Sequence, residues 1–340
     1  MDAGELIVVL LGGTFTIGAV ALAVFWEKKQ SAKRHAIWRA IADRRGGRFT
    51  EGHLGAFQFE TPVLDAVVGH AVVRLDLLRV QSGKQSHIHT RARARFALGA
   101  GPVFQVFREG FFQSVGKAFG GQDVVLGGDA VFDDAFIVKC PDAEATTRTW
   151  VPRAKHLMCR LDQPLATSDG TTIEVRIFDS GMEEWILNAL LDLVGGLASA
   201  QAEPLGAYEA LPDARLEPVD GPFEEPRRPR LVFDTARGAI NAELLPSSGS
   251  PKLRLKAAHD RGVTPFSVDV IGGKAPGLPR GLVSVRADEL LRRLDGVTLA
   301  GDAKSLQLTW PAAPAPAVVA DGLAFLSELA SGAPSEGAFR

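Results

Sequence analysis

The hydrophobic pattern of the chain opens with an unbroken apolar run. Leu6 to Phe25 is twenty residues without a charged side chain. A helix of that length covers about 30 Å, the thickness of the hydrocarbon core of a bilayer. The run therefore predicts a transmembrane anchor over residues 1–26, with Trp26 at the lipid–water interface.

Charges on the two sides of this run predict its orientation. Asp2 and Glu5 precede it, and four cations follow it closely: Lys28, Lys29, Lys33 and Arg34. The positive-inside rule then places the N-terminus outside and the body in the cytoplasm, in a single-pass protein of a bacterial inner membrane. A cleaved secretory signal is the alternative, since Ala21-Leu22-Ala23 has the small residues of a cleavage site. The acidic start of the chain disfavours it.

Residues 27–48 change to helical spacing and are strongly basic. They hold eight Lys or Arg, and Ala36, Ile37, Ala40 and Ile41 give the segment an apolar side before Gly46-Gly47 ends it. The pattern predicts a basic juxtamembrane helix. Its cations either lie against anionic lipid headgroups or serve only as a topology signal on a solvated helix face.

Period-two alternation begins at residue 48 and predicts an α+β domain over residues 49–200. Strands are predicted at 57–59, 67–80, 87–96, 103–107, 136–138 and 173–178, and helices at 143–161 and 183–198. Strands followed by helices, without βαβ alternation, favour an antiparallel sheet with helices on one face.

Residues 201–230 lack periodicity and carry six prolines and seven acidic residues, which predicts a Pro-rich acidic linker. The pattern that follows, over residues 231–332, repeats the first domain. Lys252–Ala257 repeats Arg91–Phe96, and Pro265–Val270 repeats Pro102–Phe107. We therefore predict an N-terminal transmembrane helix followed by two similar antiparallel-sheet-plus-helix domains, with a tail at 333–340. Chance similarity in a biased composition is the alternative.

The spacings near the C-terminal ends of the two predicted copies also agree. Asp162 lies eleven positions before Ile173, and Asp295 lies eleven positions before Leu306. Both predicted terminal helices end in Leu-Ala-Ser, at 197–199 and 329–331. The shared order and spacing favour a divergent internal duplication.

Composition narrows the classes of function. The chain is 46% hydrophobic and 23% charged with a net charge of −2, which is globular and gives no general affinity for polyanions. We expect no nucleic-acid partner. The two cysteines, Cys140 and Cys159, form no metal-binding or disulfide pattern, and no cofactor is predicted.

One predicted strand concentrates cations on a single face. Alternation places His87, His89, Arg91, Arg93 and Arg95 on the same side, because successive side chains of a strand point to opposite faces. The second copy repeats the pattern with Lys252, Arg254 and Lys256. Such a row can bind phosphate or carboxylate groups. Alternatively it is a solvated sheet face whose charges are paired across strands, for example with Asp76.

Short catalytic motifs give no positive indication of an enzyme. The Gly-rich stretch at 110–117 reads GFFQSVGK, which has one residue too many and lacks the hydroxyl residue of a phosphate-binding loop. The preferred hypothesis is a membrane-anchored, cytoplasm-facing binding or scaffold protein that contacts an anionic partner, either a protein or an anionic lipid. An enzyme without a short motif, using His87 and His89 on an anionic substrate, and a purely structural envelope protein remain alternatives.

Residues 128–138 have the form GDxxFDxxFxV. With Gly46-Gly47-Arg48-Phe49 and the Thr-Arg-x-Arg strand at 90–93, this motif resembles a group of uncharacterised bacterial membrane-anchored proteins from GC-rich species, over about residues 36–180. The resemblance implies anchoring and a small α+β domain, and it assigns no catalytic residue. Physically, Gly128-Asp129 is expected to form a turn, and the phenylalanines are expected to seat the next strand in the core.

Overall fold

We describe the fold from a computed structural model. It describes residues 25–26, 28–52, 60–82, 85–108, 122–179, 181–217, 219, 221–236, 238–247, 250–259, 263–279 and 282–331. The apolar run before residue 25, the strand predicted at 57–59, the Gly-rich stretch at 110–117 and the tail at 333–340 lie outside these residues.

The first half of the chain begins with helix α1 at 28–45. Five strands follow: β1 (Arg48–Thr50), β2 (Val63–Val68), β3 (Ala71–Ser82), β4 (Gln85–Arg95) and β5 (Val103–Arg108). The chain continues through β6 (Gln122–Val124), α2 (Ala130–Ala135), β7 (Phe136–Cys140), α3 (Ala143–Thr149), α4 (Pro152–Arg160), β8 (Leu165–Asp169), β9 (Thr172–Ile177) and α5 (Glu184–Ser199).

The second half begins with a 3₁₀ turn at Ala200–Ala202 and helix α6 (Pro204–Glu209). Its elements are β10 (Ala214–Glu217), β11 (Arg230–Thr235), β12 (Gly238–Leu245), β13 (Lys252–Ala258), β14 (Phe266–Val270), α7 (Val285–Leu291), β15 (Val297–Gly301), β16 (Ser305–Trp310) and α8 (Pro316–Ser331).

The described strands form two antiparallel sheets, which confirms the predicted α+β class. The first sheet has nine strands in the order β1-β2-β3-β4-β9-β8-β5-β7-β6. The second has seven, in the order β10-β11-β12-β13-β16-β15-β14. Position by position, the second order repeats the first seven strands of the first order. β6 and β7, which come from the segment between β5 and α3, extend only the first sheet.

Each sheet buries one face under the long helix that follows it. α5 packs on β2, β3, β4 and β9, and α8 packs on β12, β13 and β16. Leu75, Ala92 and Val175 are fully buried under α5, and each large apolar side chain removed from water contributes about 1.5–3 kcal/mol. The sheet residues that alternate with these buried positions carry the charges and face the other way.

Helix α1, which falls in the segment predicted as a basic juxtamembrane helix, is docked on the first domain. Trp38 and Ile41 of α1 are fully buried, and the Trp38 indole N–H donates to the carbonyl of Gly181 at 2.9 Å. Arg45 pairs with Asp192 of α5 at 2.8 Å. Part of the positive charge of this helix is therefore neutralised by the protein itself, whereas Lys28, Lys29 and Lys33 are exposed.

Two predicted elements are divided by backbone geometry. The strand predicted at 67–80 is a hairpin, because Gly69 adopts a φ of +60° and turns the chain between β2 and β3. The helix predicted at 143–161 breaks at Trp150–Val151, since Pro152 disfavours helical backbone in the residue before it.

The segment predicted as a linker, 201–230, contains regular structure. Pro204 sits in the first turn of α6, where its missing N–H costs nothing, and β10 pairs with β11 at the edge of the second sheet. Proline count alone was misleading here, because prolines outside element interiors are compatible with helices and edge strands.

Among the described residues, one helical stretch is long and apolar enough to cross a membrane, Glu184–Ala202. Most of α5, which forms nearly all of this stretch, is buried against the first sheet. Its apolar composition is that of a core helix.

Adjacent glycines in α5 provide a matched test of this packing. A Cβ added at Gly195 would lie 2.5 Å from the Cβ of Val68, whereas one at Gly196 would meet nothing within 4 Å. We expect Gly195→Ala to lower the free energy of unfolding by about 1–3 kcal/mol through overpacking. Gly196→Ala should be neutral or raise it by up to about 1 kcal/mol through helix propensity. Chemical denaturation measures both; equal effects would contradict the described packing of α5 on β2.

Candidate functional site

The GDxxFDxxFxV motif is part of the core of the first domain. Asp129 caps α2 by accepting the backbone N–H groups of Val131 and Phe132, each at 3.1 Å. Phe132 is fully buried and stacks on Phe136 with ring centroids 5.0 Å apart. The expected turn and core role of the motif match this geometry, and its side chains are engaged in folding.

The two histidines of β4 lie on either side of one exposed ring. His87 and His89 make edge contacts with Phe178 at centroid distances of 5.5 and 5.6 Å, and Phe178 itself is 62% exposed. Burial lowers the pKa of His89 below its ordinary value, and the charge of Arg176 lowers it further. His89 is therefore neutral near pH 7 and adds no positive charge to this face.

The arginines of β4 share one face, as the alternation predicts, but two of them are held by an acid. Asp76 of β3 is only 4% exposed, and its carboxylate accepts two hydrogen bonds from Arg91, at 2.7 and 2.9 Å. Arg93 donates to the same carboxylate at 2.7 Å. Arg91 and Arg93 are thus half-buried in an ion-pair network. Of the two interpretations of this strand, a face whose charges are paired across strands with Asp76 describes Arg91 and Arg93, because Asp76 lies directly opposite Arg91 and diagonally opposite Arg93.

A segment of the chain covers this network from outside. We call residues 221–229 the strap. The ring of Phe223 is buried and lies 4.7 Å from the guanidinium carbon of Arg74 and 5.4 Å from that of Arg93. Glu224 pairs with Arg74 at 2.5 Å, and its carbonyl accepts a hydrogen bond from Arg95. The arginine face of the first sheet is therefore occupied by the protein's own aromatic and acidic residues.

Ionisation of these arginines reflects their partners. The hydrogen bonds that Arg74 donates to Asp65, with the charges of Asp65 and Glu224, raise the pKa of Arg74 above its ordinary value. Burial opposes the charged form of Arg91, but the hydrogen bonds and charge of Asp76 outweigh it and raise the pKa of Arg91. These guanidinium groups are permanently charged and already neutralised.

On the second sheet the corresponding face is more open. Arg254 of β13 pairs with Glu243 of β12 at 2.6 Å, and each side chain is about one-third exposed (33% and 35%). Lys252 and Lys256 lie on the same face of β13 and are exposed. The Nε of Arg254 is buried and has no hydrogen-bond partner among the described residues.

A cavity of about 660 Å³ opens beside Arg254, and we call it the arginine cavity. Its walls come from β10, β11, β12, β13 and the end of the strap. Five arginines line it: Arg215, Arg227, Arg228, Arg230 and Arg254. Two acids line it, Glu217 and Glu243, so the lining carries a charge of +3 from five cations and two anions.

A second cavity of about 280 Å³ shares one wall with the first. Arg227 and Arg228 line both, and Arg95 of β4 and His70 line the smaller one. Arg228 extends over the loop after β4, where its terminal nitrogen would lie 2.6 Å from a Cβ built on Gly99. Gly99 itself adopts a φ of +84°, a backbone conformation that favours glycine. Arg228 therefore stands at the junction of the two domains.

The structure thus separates the eight residues singled out from the sequence. Arg254 lines the arginine cavity and Arg95 lines the smaller one. Arg91 and Arg93 are engaged in ion pairs with Asp76, and His87 and His89 line neither cavity. Four cavity arginines were missed: Arg215, Arg227, Arg228 and Arg230. The sequence Pro226-Arg-Arg-Pro-Arg230 was the available signal, and the count of acids in the supposed linker obscured it.

Within the part of the chain that the structure describes, no group of three or more His, Cys, Asp or Glu side chains has the geometry to hold a metal ion. Burial raises the pKa of the Cys159 thiol, which disfavours its thiolate.

Comparison with known proteins gives little to add to this geometry. No family model and no curated protein matches the chain. Among solved structures, the chain is similar to the crystal structure of the mycobacterial trehalose monomycolate transport factor A, TtfA, with a TM-score of 0.33 and 10% sequence identity. The match covers 50% of this chain and 93% of that one. A likeness of this size assigns no function.

The carboxylates of Asp76, in the first sheet, and Glu243, in the second, should differ sharply in their contribution to stability. Asp76→Asn removes the carboxylate that Arg91 and Arg93 share and leaves Arg91 only its longer contact with Glu174, at 3.4 Å. We expect this variant to cost about 3 kcal/mol of unfolding free energy. Glu243→Gln removes the more exposed acid of the second sheet and should cost at most about 1 kcal/mol. Denaturant titration of both variants measures the difference. A loss at Glu243 as large as that at Asp76 would show that the second face is equally closed.

Proposed function

We propose that the chain is a membrane-anchored protein whose paired α+β domains bind an anionic partner through the arginine cavity of the second domain. The observation that carries this proposal is the cavity lining of five arginines against two glutamates. The lining therefore carries more cations than acids, and this excess of positive charge favours an anionic occupant.

The anchor and its orientation support a cytoplasmic site. The apolar run from Leu6 to Phe25 is long enough to span a bilayer, and the cations that follow it favour a cytoplasmic body at a bacterial inner membrane. Helix α1 begins three residues after the end of that run in the sequence and is docked on the first domain through Trp38, which would hold the body close to the membrane surface.

The pair of domains is proposed to be a divergent duplication, and strand pairing supports it. Asp76 lies opposite Arg91 in the β3–β4 pair, and Glu243 lies opposite Arg254 in the β12–β13 pair. Matched in this way, Arg254 takes the place of Arg91. This shifts the sequence alignment, which equated Lys252 with Arg91, by two residues and leaves every side chain on the same face.

A second correspondence comes from the turns before the last strands. Asp169 accepts the backbone N–H groups of Thr171 and Thr172, each at 2.7 Å. Asp302 accepts those of Lys304 and Ser305, at 2.8 and 2.7 Å. These backbone hydrogen bonds lower the pKa of Asp302, and in Asp169 they outweigh burial and lower its pKa as well. The same side chain thus closes the same hairpin in both sheets.

The duplication explains why one face is closed and the other open. The strap places Phe223 and Glu224 on the first face and then continues with Arg227 and Arg228 beside the second. One sheet consequently receives an aromatic and acidic cover, and the other receives further cations. Binding is expected at the second face, where the cavity lining carries more arginines than acids.

An enzymatic role has no specific observation in its favour. His87 and His89, the candidate acid–base residues, flank the exposed Phe178 and do not converge with a carboxylate in either described cavity.

The proposal is tested with the full chain in a maltoside detergent and two labelled oligoanions, a hexaglutamate peptide and tripolyphosphate. Arg215→Gln combined with Arg228→Gln removes two exposed cavity cations. We expect affinity for at least one probe to fall about tenfold or more, because each lost charge-assisted hydrogen bond is worth about 1.5 kcal/mol or more. Added salt should weaken the wild-type interaction.

The matched control is Arg292→Gln combined with Arg293→Gln. These arginines lie at the end of α7 and are mostly exposed. Their replacement removes two positive charges, so the control and the test variant have the same net charge. The control should bind as the wild type does. Equal losses in both double variants, or no binding of either probe at low salt, would contradict an anion site in the arginine cavity.

A further inference from the structure

We infer that one end of the first domain rests on an anionic membrane surface, with the ring of Phe178 among the lipid headgroups. We call this part the hairpin end, and it comprises residues 25–26 and 28–33 of the N-terminal helix, residues 78–82 and 85–89 of the β3–β4 hairpin, and Phe178. The inference rests on the anchor of the proposed function and goes beyond it, because it assigns a lipid contact to the folded body itself.

Helix α1 directs its start toward this end. Near its C-terminal end, Arg45 pairs with Asp192 of α5 at 2.8 Å. About three turns earlier, Arg34 lies beside Asp179, which precedes α5. Burial lowers the pKa of Arg34, and the charge of Asp179 opposes that shift. Followed back toward its first residue, α1 therefore approaches Phe178, the chain neighbour of Asp179.

The β3–β4 hairpin extends past β9 at the same end. Thr90 pairs with Ile177, the last residue of β9, so the part of β4 before Thr90 runs beyond that strand. Phe178 follows β9 directly and lies against His87 and His89 of this projecting part, with ring centroids 5.5 and 5.6 Å away. Phe178 is nevertheless 62% exposed. The hairpin end thus presents an apolar ring, flanked by two polar rings, to its surroundings.

The apolar run of the sequence ends at this part of the body. Phe25, the last residue of that run, and Trp26 are 65% and 60% exposed. Nine positions separate Phe25 from Arg34, a helical rise of about 13 Å. The polar region on each side of a bilayer is about 5–7 Å thick. A helix that leaves the bilayer at a tilt therefore brings the residues beside Arg34, Phe178 among them, to the headgroup layer.

Positive charge without an internal counter-charge lies at the same end. Lys28, Lys29 and Lys33 are exposed, and none of them forms an ion pair with the residues that the structure describes. The carboxylate of Asp179 is already engaged, since it accepts a hydrogen bond from the Thr90 hydroxyl at 3.2 Å. Anionic headgroups attract basic segments that lie beside a membrane. A surface of anionic lipid therefore supplies the counter-charge that these lysines lack.

The chemistry of the exposed groups fits a headgroup layer. Trp is enriched at membrane–water interfaces, and Phe together with Lys is typical of segments that lie in the plane of an interface. The hairpin end combines three exposed aromatic residues, Phe25, Trp26 and Phe178, with its three lysines. Exposed apolar residues also occur in the second domain, at Ile271 and Val285, and they provide internal controls.

The test reconstitutes the full chain in lipid nanodiscs that mix phosphatidylcholine with phosphatidylglycerol. A trace of the phosphatidylglycerol carries a photoactivatable diazirine in its headgroup, and peptide mass spectrometry locates the lipid adducts after irradiation. We expect adducts on the peptides that contain Trp26 and Phe178. Peptides that contain Ile271 or Val285 should stay at background.

The contribution of the lysines is measured with a matched pair of variants. The test variant replaces the three exposed lysines of the hairpin end: Lys28→Gln, Lys29→Gln and Lys33→Gln. The control replaces three exposed cations of the second domain: Lys274→Gln, Arg292→Gln and Arg293→Gln. We expect the test variant to lower the adduct yield at Phe178 about fivefold or more, because one cation near an anionic surface changes its attraction by about that factor. The control should leave the yield unchanged.

The outcomes distinguish this inference from the anchor on which it rests. Adducts at Trp26 without adducts at Phe178, or equal yields at Phe178 and Val285, would overturn the lipid contact of the body and leave the anchor standing. A yield at Phe178 that survives the lysine replacements would overturn the role of anionic lipid. Absence of adducts at Trp26 would contradict the anchor and the inference together, whereas the oligoanion titrations test the arginine cavity independently.

Discussion

The structure depends on how outward-facing arginines in an antiparallel sheet obtain counter-charges. Side chains on one face of adjacent strands lie about 5 Å apart, so a row of guanidinium groups repels itself unless anions stand between them. At an effective dielectric constant of about 20, two unit charges 4 Å apart interact by about 4 kcal/mol. In the first sheet Asp76 meets this requirement for Arg91 and Arg93 together, with both contacts at 2.7 Å. In the second sheet, acidic side chains balance only part of the positive charge on the corresponding face.

This difference arises where the chain passes from one domain to the other. The strap adds Phe223 and Glu224 to a face that is already balanced, and it adds Arg227 and Arg228 to a face that has a surplus of cations. The same topology thus gives a sealed surface in one copy and an open, positively charged cavity in the other. Under the proposed duplication, the first domain holds helix α1 through Trp38, and the second carries the proposed binding site.

Much of this arrangement could be predicted from residue patterns. Alternation in β4 correctly placed the arginines on one face, and Asp76 was an identifiable partner because β3 and β4 form a hairpin. The strap could not be foreseen, since Phe223 and Arg93 are far apart in the sequence and meet only through the tertiary fold. Hydrophobic periodicity predicted one strand across Gly69 and one helix across Pro152, and the structure has two elements in each place. Periodicity indicates which face is buried and does not detect a single turn. The cavity itself combines residues of four strands and the strap, and no local pattern contains that information.

Arginine-selective labelling of the full chain with phenylglyoxal, followed by peptide mass spectrometry, tests the central claim most directly, because it compares both faces in one sample. The account predicts rapid modification of Arg215 and Arg228, which are exposed, and slow modification of Arg91 and Arg93, which are held by Asp76. An anion that occupies the arginine cavity should slow the first pair and leave the second unchanged. Equal labelling of Arg91 and Arg215, or protection confined to the first sheet, would contradict the claim that only the second face is open for binding.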